Sequence, residues 1–81
     1  MGYKEHDTVV LLRDLPEHSL RAGDLGAVVC GHSPDHLEVE FVRASGRTQA
    51  LVTLRPADVR SVRDRDLVAV RQVDSPADGS V

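Results

Sequence analysis

Cys30, His32 and His36 carry the residue types in this chain best suited to reactive chemistry. Two positions apart on an extended segment, Cys30 and His32 share one face, and His36 follows across a short polar break. Thiolate and imidazole are good zinc ligands, yet a closed structural zinc site wants four, and there is no second cysteine. His6 and His18 lie too far along the chain to be placed beside them. A nucleophile and base are the other reading, but a reactive thiolate needs an exposed, electropositive setting, and Glu38 and Glu40 make this stretch acidic. Cys30 points the same way as Val28 along the strand and reads as a small core filler. No Ser-His-Asp order, phosphate-cradling glycine loop or dinucleotide fingerprint is present; Gly23 and Gly26 are too sparse for one. Neither an enzyme nor a metal or cofactor is expected.

The carboxylates and arginines are weighed in the same way. Glu38 and Glu40 share a strand face, and alternation accounts for them as the solvent side. A flat strand offers no water-excluding pocket in which paired carboxylates would trade protons. Arg43, Arg47, Arg55 and Arg60 are spread over the second half, with Arg43 and Arg47 at one hairpin tip. They suit a grip on phosphate or on an acidic partner. Against a general nucleic-acid binder stand the net charge of −3, the interspersed acids and only two aromatic residues, Tyr3 and Phe41.

The elements that position these residues follow from the pattern. At 81 residues the chain is one domain. Abundant valine favours strands and an aliphatic core. Residues 8–13 form a short apolar run closed by Asp14-Leu15-Pro16, which suits a strand. Residues 14–25 read as a loop anchored by Leu15, Leu20 and Leu25. Residues 26–32 and 36–42 make a hairpin around Ser33-Pro34-Asp35, with Leu37, Val39 and Phe41 on the inner face. Residues 49–55 form the next strand, with Ala50, Val52 and Leu54 on one face. Pro56-Ala57-Asp58 is one helical turn, and residues 59–62 form a short closing strand.

After the charged break Arg63-Asp64-Arg65-Asp66, residues 67–73 alternate again. They read as an extra edge strand that either returns to its own sheet or pairs with another chain. Residues 1–6 read as an N-terminal tail, 7–73 as the single domain and 74–81 as a disordered tail. The expected architecture is all-β: an SH3-like barrel of five to six short antiparallel strands with one short helical turn. Closure would remove exposed edges. The rival is an open meander that dimerises to cover its apolar face.

One cysteine allows no intrachain disulfide and suits a reducing compartment. The polar N-terminus lacks the apolar core of a signal peptide, and no apolar run approaches the ~20 residues of a membrane helix. A cytoplasmic location is expected.

The segments Val9-Val10-Leu11-Leu12, Asp14-Leu15-Pro16, Gly23-Asp24-Leu25-Gly26-Ala27-Val28-Val29, Glu38-Val39-Glu40-Phe41 and Thr53-Leu54 follow one another in a distinctive order. Over residues 7–62 the chain thereby resembles a family of small bacterial proteins, domain of unknown function 4926. More distantly, the Gly-Asp-x-Gly-x-Val turn is similar to that of SH3-like modules, including KOW-type modules and the barrel of nitrile hydratase beta subunits. The resemblance implies a small barrel, a bacterial cytoplasmic setting and a protein partner encoded by a neighbouring gene. It supplies no catalytic residues.

The expectation is therefore a non-catalytic interaction module, an antitoxin-like protein or accessory subunit. It would bind a protein partner, or its own copy, through Leu15, Pro16, Leu20, Arg21, Arg43, Arg47, Val68 and Val70. The alternative is a KOW-like nucleic-acid-associated barrel using its loop arginines.

Overall fold

The computed structural model describes residues 2–31 and 33–73. His32, and the tail expected over 74–81, lie outside the described residues. Five strands form one antiparallel sheet: β1 (Thr8–Leu11), β2 (Leu25–Cys30), β3 (Leu37–Val42), β4 (Thr48–Leu54) and β5 (Val59–Ser61). The order is β4-β3-β2-β1-β5, so the first four strands run as a meander and the fifth returns to pair with β1. The only helical pieces among the described residues are 3-10 turns, at Pro16–His18 and Pro56–Asp58. The fold is all-β. The long first loop, central hairpin and helical turn before β5 are all present.

The sheet is open, because no ladder joins β4 to β5. It nevertheless wraps one core, to which every strand contributes. Val9 and Leu11 of β1, Val28 of β2, Leu37, Val39 and Phe41 of β3, Ala50 and Leu54 of β4 and Val59 of β5 form a single buried cluster. Leu15 and Leu20 enter it from the first loop, pinched together by reciprocal backbone hydrogen bonds of 2.9 and 3.1 Å. Each such aliphatic side chain contributes roughly 1.5–3 kcal/mol through burial.

Gly26 explains why Leu25 does not join them. An added Cβ at Gly26 would lie 2.6 Å from Val39 Cγ1 and 2.9 Å from Phe41 Cε1, so this inward position belongs to the Phe41 ring. Leu25 therefore points outward opposite Val10 and keeps 36% of its surface, contrary to the expected loop anchor.

Two bulges break the simple alternation. Val28 pairs with Val39 but Cys30 pairs with Glu38, leaving Val29 as the extra residue. Phe41 pairs with Ala50 but Val42 with Thr48, leaving Gln49 as the second. Gln49 and Ala50 both turn inward as a result.

Two further expectations are corrected. Residues 3–6 are not a free tail: His6 N–H donates to the Val28 carbonyl at 2.8 Å, and Tyr3 packs against the core. A turn holds this segment in place, with Asp7 N–H donating to the Lys4 carbonyl at 3.1 Å. Residues 67–73 are not a sixth strand. Arg60 forks onto Asp66 at 2.8 and 2.9 Å, and Arg63 N–H donates to the same carboxylate at 2.6 Å. Beyond that turn residues 67–73 join no strand and border one hollow with Val10, Leu25 and Val42 of the outer face, forming an arm.

Candidate functional site

Cys30 ends β2 and His36 precedes β3, while His32 lies outside the described residues. The Val29 bulge sets Cys30 opposite Glu38, on the outward side of the sheet, so Cys30 is half-buried and is not the core filler expected beside Val28. It borders a hollow of about 280 Å³ with Tyr3, Lys4 and Gly31. His36 is exposed just before β3. Among the described residues no group of three or more His, Cys, Asp or Glu side chains is placed to hold a metal ion.

Glu38 and Glu40 are engaged across the sheet. Thr53 Oγ1 donates to Glu38 at 2.5 Å, and Thr48 Oγ1 donates to Glu40 at 2.6 Å. These are cross-strand pairs that fasten β4 to β3.

The arginines are partly committed too. Arg43 and Arg47 do share the β3–β4 turn, where Arg43 N–H donates to the Arg47 carbonyl at 2.8 Å. Arg43 Nε folds back to Gln49 Oε1 at 2.8 Å, while Arg47 stays exposed. The Arg60 guanidinium, with the Arg63 backbone N–H, pulls the Asp66 carboxyl down to about 2. At the 3-10 turn Pro56–Asp58 the Arg55 N–H, with Arg13 beside it, holds Asp58 below the usual carboxylate range.

The loop residues divide. Leu15 and Leu20 spend their side chains in the core, so the surface there belongs to Pro16 and Arg21. The arm is the opposite case. Leu67, Val68 and Val70 keep 95%, 72% and 96% of their surface. Arg71 then ties the arm down: its Nε donates to Asp24 Oδ1 at 3.0 Å, one terminal nitrogen bonds Asp24 Oδ2, and the same nitrogen reaches the Ser19 carbonyl at 3.0 Å.

Between arm and sheet runs an apolar groove of about 840 Å³. Val10, Leu25, Val42 and Val62 face it from the sheet side, Val68 and Val70 from the arm. Of the eight residues expected to bind a partner, Leu20, Arg43, Val68 and Val70 border this groove, and Leu15, Pro16, Arg21 and Arg47 do not. Val10, Leu25 and Val42 were not among the residues expected to bind a partner. A signal for them exists in the apolar doublets of β1, since a strand apolar on both faces implies cover on both.

No curated protein and no solved structure matches the chain, so the comparisons lend no support to the expected likeness to SH3-like and KOW-type modules. The family model described as Domain of unknown function (DUF4926) matches residues 5–61, from the N-terminal turn to the end of β5, and the chain belongs to that family.

Proposed function

We propose that the chain is a non-catalytic protein-interaction module that receives an extended segment of a protein partner in the groove between arm and sheet. One observation carries this reading. Three aliphatic side chains of the arm stand in water beside a groove whose floor is also aliphatic. Contiguous exposed apolar surface of this kind marks interaction sites. Leu67, Val68, Ala69 and Val70 make no hydrogen bond among the described residues, so their backbone is available for strand addition. The arm lies beyond the stretch matched by the family model. An accessory-subunit or antitoxin-like role suits such a module, and a cytoplasmic setting suits its lone cysteine.

The nucleic-acid reading has less support. Arg60 is matched by Asp66 and Arg43 is turned to Gln49, which leaves Arg47 and Arg55 as exposed members of the set. Tyr3 packs on the core and Phe41 lies within it, so neither offers a stacking platform.

Affinity capture from source cells, with an N-terminal tag, tests the proposal alongside light scattering. One protein recovered in stoichiometric amount, or a concentration-dependent dimer, is expected. A strictly monomeric chain that recovers no protein would overturn it, and retention of RNA or DNA that falls steeply with salt would favour the other reading.

A further inference from the structure

The arm is fastened at its two ends and unsupported between them. At one end the Arg60 guanidinium grips Asp66. At the other, Arg71 grips Asp24 and the Ser19 carbonyl, with Val73 half-buried just beyond. Asp24 is well prepared for this. Its carboxylate already accepts the Arg21 N–H at 2.8 Å, and its carbonyl accepts the Leu11 N–H at 2.8 Å, so the acceptor is fixed to β1 before the arm arrives. Both partners are partly buried, the Arg71 side chain at 29% and Asp24 at 20% exposure. A forked, charge-assisted pair in that setting is stronger than an open surface ion pair. Val10 stands outside the main buried cluster and borders the groove, yet it is only 7% exposed.

From these relationships we propose that Arg71 is a latch. It holds residues 67–73 as a movable wall of the groove, and the turn at Asp66 is the hinge. Releasing the latch swings the wall outward and opens the groove along its length, so an extended segment can enter from the side and not only end-on. That a partner docks in the groove rests on the functional reading above; the latch itself does not.

Backbone amide order parameters measured by nuclear magnetic resonance separate the two. In the native chain residues 67–70 should approach the ~0.85 of a rigid backbone. In Arg71→Gln they should fall below about 0.6, with the five strands and the loop carrying Asp24 unchanged. Asp24→Asn, which keeps an acceptor for the Arg21 N–H, should loosen the arm in the same way. The latch is refuted if the arm is already below about 0.6 in the native chain, or if Arg71→Gln leaves it rigid, whatever Asp24→Asn does. A loosened arm in a chain that captures no partner would uphold the latch and count only against the docking reading.

Discussion

The Gln49 side-chain amide donates to the carbonyl oxygen of His18 at 3.1 Å, joining residues 31 positions apart inside the protein. The β3–β4 bulge makes this possible, because the extra residue turns a polar side chain inward beneath the first 3-10 turn. Its oxygen meanwhile accepts from Arg43, and no buried side-chain polar atom among the described residues is left without a partner. One amide thus ties the first loop, the β3–β4 turn and the edge strand together.

Gln49→Ala should therefore cost more than its size implies. It removes the hydrogen bonds to the His18 carbonyl and from Arg43, the second from a charged donor, for about 2 kcal/mol or more. In a domain of this length that lowers the melting temperature by roughly 10 °C. Urea denaturation followed by circular dichroism checks the value, and a change within about 0.5 kcal/mol would show that the bulge residue is dispensable.

Gly26→Ala should destabilise by about 1–3 kcal/mol through overpacking, because its methyl would press on Val39 and Phe41. The cause can be isolated. Val39→Ala alone opens a cavity and is also destabilising, yet in the Gly26→Ala background it should restore part of the loss. A double-mutant cycle that proves strictly additive would place the cost elsewhere.

Asp66 should impose an acid limit on the turn that aims the arm. Its carboxyl titrates at about 2 when folded, against an ordinary 3.8. The unfolded chain therefore binds more protons between those values, and stability rises with pH across the window. The contribution is complete above about pH 4 and fades as pH falls towards 2. Asp66→Asn should flatten that part of the stability profile in denaturation measured from pH 5 down to 2. An unchanged slope would show that the Arg60 pair does not form in solution.

Much of the sheet was legible because period-two alternation has one physical cause. Leu37, Val39 and Phe41 read as inward and are inward, and Pro56 marks its helical turn. The bulges were not legible. A one-residue insertion reverses the facing of everything beyond it, and nothing in a run such as Val28-Val29-Cys30 marks where the slip falls. Cys30 was placed on the wrong side for that reason. Residues 67–73 alternate as a strand does, but alternation describes side chains and says nothing of whether the backbone finds a neighbour. Their position depends on Asp24, 47 residues earlier than Arg71, and that is a tertiary fact. The eight expected binding residues were only half gathered: the Leu15 side chain is spent in the core, and Pro16, Arg21 and Arg47 are exposed away from the groove.

The most direct measurement compares two forms of the chain in one capture experiment. The native protein and a Val68→Asp/Val70→Asp variant, which leaves the buried core untouched, are tagged identically and presented to the same extract of source cells. The account predicts one stoichiometric protein on the native chain and at least about a ten-fold loss on the variant, as removal of a buried apolar anchor implies. Equal recovery by both forms, with the variant folded, would contradict it.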